Sequence, residues 1–515
     1  MHEATMAPQV SYFDYIIIGG GTAGCPLAAT LSQNASVLLL ERGGSPFNNA
    51  NITNITAFGA ALRDTSSTSP AQLFISEDGV KNARGRVLGG GSSINAGFYS
   101  RASMVFVKES GWDEKLVNES YRWVEKAIVF KPELGPWQSA LKASLLEAGV
   151  SPDNGFVYDH LYGTKVGGTI FDQNGRRHSA ANLLRYASSR RLMLYLHASV
   201  HKILFRTKGN SKPMAHGLVF RDSLGKKHLA YLKGGSKNEI ILSAGSLGSP
   251  QLLMLSGLGP KEHLRSQGID VIMAQPGVGN GMADNPKAAI FVPSPIPVEF
   301  SIVEVVGITH SGNYIEGRSG SNLVSGQYKN ISFKSGGFIF EKITGPVSRG
   351  YLKLKTRNPN DNPLVTFNYF KEPVDLQRCV NGLTTLIKAI HTKSFSKFRY
   401  HFLNTKDLLN ITSSLPQNLP VHSNTTASLE QFCKDTISTM WHYHGGCRVG
   451  EVVDHDYRVV GVDRLRVIDG STFHTSPGTN PQATVMMLGR YMGVKILRER
   501  LVRLGLARVQ DGSTR

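Results

Sequence analysis

The chain has 515 residues, of which 41% are hydrophobic and 18% charged, with 54 glycines and 23 prolines. That apolar fraction supports a sizeable core and excludes a disordered, collagen-like or coiled-coil chain, and the length suits two or three domains of an α/β enzyme. Lys and Arg outnumber Asp and Glu by 57 to 38, a net +19, yet the basic residues are scattered, with pairs such as Arg176-Arg177, Arg190-Arg191 and Lys226-Lys227 and no nucleic-acid-binding motif. No nucleic-acid partner is expected; an acidic extracellular matrix or an anionic surface would suit this charge, and a merely solvated surface is the leading reading.

Met1 to Val10 lacks the basic-then-apolar pattern of a signal peptide, and no run reaches the ~18 apolar residues of a membrane-spanning helix. No transmembrane segment is therefore expected. Tyr12 to Glu41 is the most legible segment. Tyr15-Ile16-Ile17-Ile18 reads as a buried strand, Gly19-Gly20-Gly21-Thr22-Ala23-Gly24 as a loop, Cys25 to Leu31 as a helix, and Val37-Leu38-Leu39-Leu40 as a second strand ending at Glu41. In this β-α-β unit Gly19 permits a tight turn, Gly21 lets a pyrophosphate approach the backbone, and Gly24 lets helix and strand pack closely. Glu41 is placed to accept hydrogen bonds from a ribose, with Arg42 beside it. NAD and FAD share this fingerprint, so it does not choose between them.

Further along, Arg84 to Gly97 is glycine-dense, too long for one turn, and suited to backbone lying flat against a planar ligand. Gly245 to Gly259 reads as a strand end, a capped helix and a glycine stop. Leu465-Arg466-Val467-Ile468-Asp469-Gly470-Ser471 reads as a buried strand with an acidic turn. Four cysteines, Cys25, Cys379, Cys433 and Cys447, fit no zinc ribbon or redox pair. Cys379 and Cys433 can form one bridge, the bland alternative being four buried thiols; the bridge is the expectation carried forward. Seven Asn-x-Ser/Thr acceptors, at Asn34, Asn51, Asn54, Asn118, Asn330, Asn410 and Asn424, point to a secreted or endomembrane glycoprotein. Asn34, Asn118 and at least one of Asn410 and Asn424 are expected on the surface.

These stretches, with Trp441-His442-Tyr443-His444-Gly445-Gly446-Cys447 and Asn480-Pro481-Gln482, resemble the glucose-methanol-choline (GMC) oxidoreductases, which bind FAD, and within them a plant branch that includes hydroxynitrile lyases. The resemblance covers nearly the whole chain. It implies an α/β protein with a discontinuous, Rossmann-like FAD domain (residues 12–110, 190–280 and 435–505). An α+β substrate domain with a mixed or antiparallel sheet (111–189 and 281–434) completes it, and a monomer is expected. Cofactor contacts carried over are Gly19, Gly21, Thr22, Gly24, Glu41, Arg42, Val87, Gly91, Asn95, Ala96, Gly97, Phe98, Val200, Trp441, Asp469, Gly470, Pro481 and Gln482. Ile94 stands where members with covalent FAD carry a His, so noncovalent FAD is implied. The stretch from Ser319 to Phe340 is shorter than in relatives.

Oxidising an alcohol needs a base for the hydroxyl proton and an acceptor for the hydride, held against one carbon. A base with a near-neutral pKa points to His; the family's catalytic His corresponds to His442 and its partner position to Asn480. The resemblance implies FAD-dependent oxidation of a CH–OH group to an aldehyde, by branch analogy of long-chain ω-hydroxy fatty acids in cuticle formation. The alternative is a hydroxynitrile lyase, whose members carry a second His at Asn480, a Tyr at Met440 and a pocket Cys that this chain lacks. His442, His444 and Cys447 as a metal cluster is disfavoured because no further ligand lies nearby in sequence, and no metal is expected; His444 reads as structural.

Overall fold

The computed structural model describes residues 1–57, 59–207, 212–329, 331–416, 428–478 and 480–503. Asn330 and Asn424, two of the expected glycan acceptors, lie outside the described residues.

Every residue of the strands Tyr15–Ile18 and Val37–Leu40 is buried, as continuous apolar runs in a sheet covered on both faces must be. They pair in parallel at the centre of a six-stranded sheet with the order His2–Glu3, Leu192–Leu196, Val37–Leu40, Tyr15–Ile18, Glu239–Leu242, Leu465–Val467. Alternation along the strands divides their side chains between two cores. Tyr15, Ile17, Val37 and Leu39 point to the side of the helix Gly24–Leu31 and the C-terminal helix Gln482–Arg503. Ile16, Ile18, Leu38 and Leu40 meet Ile203, Leu218, Phe220 and Ala230. These four belong to a second, four-stranded sheet of Ser199–Arg206, Met214–Arg221, Lys227–Leu232 and Val10–Phe13.

The helix Glu114–Ile128 falls in the segment expected to serve the substrate unit. Its buried positions Val117, Tyr121, Val124 and Ile128 recur at helical spacing and pack in the same core as Leu27, Leu31 and Met487, under the parallel sheet.

The remaining large element is a seven-stranded mixed sheet: Ser438–Thr439, Pro286–Pro293, Ile331–Ile343, Asn313–Tyr328, Val305–Ile308, Gly163–Val166, Asp153–Phe156. Only its last pair is parallel. One face, with Ile290, Ile315, Ile339 and Ile343, packs against residues of the helices Pro136–Glu147 and Pro373–Ile390. A disulfide between Cys379 and Cys433, S–S 2.09 Å, ties the latter helix to Leu429–Thr436; Cys25 and Cys447 are buried free thiols. The opposite face, with Tyr314 and Phe340, meets Phe98. Asn34, Asn51, Asn54 and Asn118 are exposed and Asn410 is half-buried. No helix among the described residues is long and apolar enough to cross a membrane.

Arg466, 1% exposed in the last parallel strand, ties the sheet to the C-terminal helix: Nε meets Glu239 Oε2 at 2.7 Å, Nη2 meets Glu499 Oε2 at 2.9 Å, and Nη1 donates to the Asp456 carbonyl at 2.8 Å. Removing one partner of a buried ion pair strands the other charges in a low-dielectric interior. Arg466→Ala should therefore lower stability by about 3–5 kcal/mol, read as a shifted denaturation midpoint; an unchanged midpoint would contradict the role given to this residue.

Candidate active site

Every candidate residue named from the sequence, except Gly24, lines one cavity of ≈ 320 Å³. Gly24 has the packing role read for it: a Cβ there would sit 2.0 Å from the Gly19 carbonyl oxygen, and Gly19 itself has φ +103°. The next loop is laced to the first, Gly89 N–H donating to the Gly20 carbonyl at 2.7 Å and Thr22 Oγ1 to the Gly89 carbonyl at 3.4 Å. A Cβ added at Gly91 or Gly245 would meet nothing within 4 Å. Bare backbone thus borders open space on several sides, a cradle suited to a flat, elongated ligand.

Glu41 ends its strand 6% exposed. Its Oε2 accepts from Gly20 N–H at 2.9 Å and its Oε1 from Gly43 N–H at 2.8 Å, while burial pushes its pKa up. Each oxygen keeps a further lone pair, so the carboxylate remains able to receive a ribose hydroxyl. Arg42 donates to Gln72 Oε1 at 2.7 Å and to the Gly85 carbonyl at 3.1 Å, fastening the cavity edge to the hairpin Ala71–Ile75/Lys81–Gly85. Val87 and Val200 are buried there.

The loop Asn95 to Phe98 is fixed from two directions. Asn95 Nδ2 donates to Gln482 Oε1 at 2.9 Å, and Gln482 Nε2 donates to the Phe98 carbonyl at 2.5 Å. Asn95 Oδ1 accepts from Gly97 N–H at 2.9 Å and from Arg177 at 3.0 Å. In the sequence Arg177 is one of many scattered basic residues. It is 5% exposed, stacks over Phe171 at 4.4 Å and also donates to the carbonyls of Ile52, Ser92 and Asn95; burial pushes its pKa down to about 9. No local pattern in the chain announced that role.

Trp441 has φ 59°, a left-handed conformation rare for a bulky residue and retained where the surroundings over-determine it. Here they do. Trp441 N–H donates to Thr439 Oγ1 at 2.7 Å and His442 N–H to Asp284 Oδ1 at 2.8 Å. The other oxygen of Asp284 accepts from Thr439 Oγ1 at 2.5 Å and Tyr369 OH at 2.7 Å. Burial pushes the Asp284 pKa up to about 6. The next residue, Tyr443, donates to Asn82 Oδ1 at 2.8 Å and stacks on Phe367 at 5.3 Å.

This turn presents the His442 ring to the cavity; its Nδ1 is buried with no partner among the described residues. Burial, with Lys342, His444 and Lys287 nearby, holds its pKa well below the ordinary histidine value, so the imidazole is neutral at physiological pH. His444 is engaged at both nitrogens, with the His442 carbonyl 3.1 Å from Nδ1 and Arg349 Nη1 3.2 Å from Nε2. Arg only donates, which assigns the proton of His444 to Nδ1 and gives the ring a structural place.

Asn480 Oδ1 accepts from Lys342 Nζ at 2.7 Å, and the same ammonium donates to Glu316 Oε2 at 2.8 Å. Lys342 and Glu316 side chains are 0% exposed, and Nζ lies 4.5 Å from the centre of the Tyr314 ring. Because lysine has only donors, the Asn480 carbonyl faces it and the NH2 is the end with hydrogens to offer a substrate oxygen. Neither Lys342 nor Glu316 was singled out from sequence; strand alternation toward the cavity was the one signal. Asp469, expected near the flavin, uses its carboxylate inside the protein. One oxygen accepts from Gly245 N–H at 3.0 Å and Ser249 Oγ at 2.6 Å, the other from Ser471 N–H at 2.8 Å, so it holds the helix Gly245–Leu255 to the strand end beside Gly470.

Models of the GMC oxidoreductase family match residues 13–287 and 346–489. The chain is 52% identical to Protein HOTHEAD of Arabidopsis thaliana, covering 96% of this chain and 89% of that protein. It is 49% identical to an Arabidopsis (R)-mandelonitrile lyase-like protein, covering 97% and 92%. It is also 43% identical to sinalpyl alcohol oxidase Nec3 of Nesocodon mauritianus, covering 97% and 89%. The fold is shared with pyridoxine 4-oxidase from Mesorbium loti at a TM-score of 0.77 and 23% identity, covering 94% of this chain and 99% of that one.

Ile94 lines the cavity and offers no nucleophile for a covalent link. Acid precipitation should accordingly release the yellow group into the supernatant, and Gly24→Val, which forces a side chain into the Gly19 carbonyl, should yield protein with little or no flavin absorbance. Colour retained in the acid pellet, or a fully loaded Gly24→Val protein, would refute these expectations.

Proposed function

The chain belongs to the GMC oxidoreductase family and is an FAD-dependent alcohol oxidoreductase; on that premise we propose that His442 and Asn480 carry the chemistry. The observation that supports this most is that the two side chains, 38 positions apart, border one cavity with the glycine cradle. Bound FAD supplies the hydride acceptor. The chain supplies the rest. His442, neutral through burial and neighbouring cations, takes the hydroxyl proton of the substrate. Asn480, its carbonyl held by Lys342, donates from Nδ2 to the substrate oxygen as negative charge builds there. Asp284 fixes the His442 backbone, so the base need not be ordered during reaction. Glycine backbone, Glu41, Arg42, Val87 and Val200 hold the dinucleotide, and Asn95 to Phe98 with Pro481 and Gln482 form its wall beside the reaction centre.

We assign the cofactor unit to the parallel and four-stranded sheets together with the helix Glu114–Ile128, and the substrate unit to the seven-stranded sheet with its helices. Shared burial of Tyr121 and Val124 with Leu27 and Met487 supports that division. Met440 and Trp441, the latter 39% exposed, give an apolar wall that suits the long-chain ω-hydroxy fatty acids suggested by the resemblance. The lyase reading is weaker: Asn480 and Met440 stand at positions where a second His and a Tyr are expected of it. Release of aldehyde and cyanide from mandelonitrile, with no flavin bleaching by any alcohol, would restore it. A secreted or endomembrane location is supported by the disulfide and by exposed Asn34, Asn51, Asn54 and Asn118. Treating the plant-expressed protein with an N-glycosidase should raise its gel mobility; unchanged mobility would count against that location.

His442→Ala should lower the rate of flavin reduction by about 10²-fold or more, the scale of a lost general base. Asn480→Ala should lower it less, and Asn480→His should retain activity. A normal rate in His442→Ala at normal flavin content would rule the base out. Reduction should stay flat with pH through the ordinary histidine range and fall only in more acid solution, because only the neutral ring accepts a proton. Replacing the buried pair together, Lys342→Met with Glu316→Gln, removes a cation that disfavours imidazolium, so the His442 pKa rises and the acidic fall moves to higher pH. A stopped-flow pH series checks this, and an unmoved or downward-shifted limb would contradict it.

A further inference from the structure

The four-stranded sheet turns one face to the parallel sheet and the other to solvent. Ile203, Leu218, Phe220 and Ala230 point inward, so their neighbours along each strand point out. Opposed residues share a face, which sets Leu204, Gly217, Tyr231 and Tyr12 in one outward row and Lys202, Val219, Leu229 and Val10 in the next. Tyr12 is 58% and Val10 41% exposed, and Leu204, Val219, Leu229 and Tyr231 are half-buried. Rings cross this open face from strand to strand. A Cβ at Gly217 would sit 2.5 Å from Tyr231 Cδ1, so the glycine lets the Tyr231 ring lie down across the sheet. The His216 ring, at the register shift beside Gly217, is parallel to it within 2° at 5.7 Å, and the Tyr12 ring lies 5.8 Å away at 30°. The charge around the rings has one sign. Lys202, Arg206, Arg221 and Lys227 are exposed at outward positions, and none makes an ion pair among the described residues. After burial, Arg206 is the neighbour that lowers the His216 pKa, which puts a cation at the end of the ring row. Residues 199–233 hold a single acid, Asp222; its side chain is 1% exposed and meets His228 Nε2 at 3.1 Å. Asp463, exposed where its backbone bridges to Met214, is the acid at the Arg206 end.

We propose that this face binds an acidic polysaccharide, a chain of uronate sugars, with its sugar rings on the aromatic row and its carboxylates on the flanking cations. The face of an aromatic ring carries negative potential and receives the C–H face of a sugar. Tyrosine adds a hydroxyl that can bond to sugar hydroxyls, and Lys and Arg pair with carboxylates. Rings alone would suit a neutral glycan, and cations alone any polyanion; together on one face they select a sugar chain that carries acid groups. The proposal deepens the secreted or endomembrane reading, on which it rests for access to such a polymer, and gives the net positive charge one address. Val200, on the inner side of the same sheet, lines the cavity, so polymer and dinucleotide take opposite sides and need not compete.

Calorimetry on the holoenzyme at two salt concentrations tests this, with polygalacturonate as the probe and its fully methyl-esterified form and dextran as neutral comparisons. The wild type should bind the acid form and prefer it clearly to both neutral chains. Tyr12→Ser with Tyr231→Ser, which leaves every charge in place, should weaken binding by about 10-fold. Tyr12→Ser alone, at an exposed position, serves if the double variant does not fold. Lys202→Gln with Arg221→Gln should weaken binding and flatten its salt dependence, and flavin reduction should stay normal in every variant. Arg190→Gln with Arg191→Gln, an exposed basic pair outside these four strands, should change nothing. No binding of polygalacturonate, binding that ignores the tyrosines, or an equal loss on removing Arg190 and Arg191 overturns the site. Tighter binding to anionic vesicles or to single-stranded DNA than to polygalacturonate overturns it as well. Neither His442 nor Asn480 takes part, so failure here leaves alcohol oxidation standing, and a protein that oxidises no alcohol could still bind the polymer.

Discussion

A buried carboxylate needs every lone pair answered, and that requirement at Asp284 joins the halves of this protein. Asp284 lies at the root of the strand Pro286–Pro293 and is 2% exposed. Its partners come from the strand end at Thr439, from Tyr369 and from the backbone of His442. An unpaired carboxylate in that position would cost several kcal/mol, so the Thr439 to His442 turn is held where it answers the charge. The positive φ of Trp441 is the strain that arrangement tolerates. The seven-stranded sheet and the histidine proposed as base are thus located by the same group, and the histidine ring lines the cavity.

Close packing sets the second constraint. At Gly24 and Gly89 the space for a side chain is already filled by backbone carbonyl or serine oxygen, whereas at Gly91 it is empty. The glycines therefore do different work: some bring chain segments together, and others leave room for a ligand. Glu41 depends on both effects, since its oxygens reach Gly20 and Gly43 only because these segments approach so closely.

How much of this was legible follows from the range of each interaction. The strand Tyr15–Ile18, the glycine loop and the strand Val37–Leu40 are local, with hydrophobic runs and glycine spacing contained in about thirty residues of a unit of known mechanics, and they fold as read. His442 and Asn480 were visible as motifs through family resemblance. What could not be read is what holds them. Lys342 reaches Asn480 across 138 positions, Arg177 reaches Asn95 across 82, and Asp284 reaches His442 across 158. A lone Lys in a strand or an Arg in a basic pair looks like solvated surface until the topology buries it. The helix Glu114–Ile128 shows the same limit at the level of domains: its apolar stripe declares that it packs, and only the fold says on what.

The electrostatics of the site follow from these burials and bear on the proposal of a histidine as base. Lys342 and Lys287 are two of the three neighbouring groups that hold His442 neutral, and Lys342 also orients the amide expected to meet the substrate oxygen. A carboxylate in place of His442 would pair with these cations, keep a low pKa and make a poor base, since a paired carboxylate binds protons weakly. The same cations lower the proton affinity of an imidazole too, so the base proposed at His442 rests neutral and has only to hold a proton once the substrate oxygen has become negative beside it. Positive charge that keeps His442 unprotonated also favours an alkoxide beside it, so the buried cations and the neutral ring bear on the same proposed step.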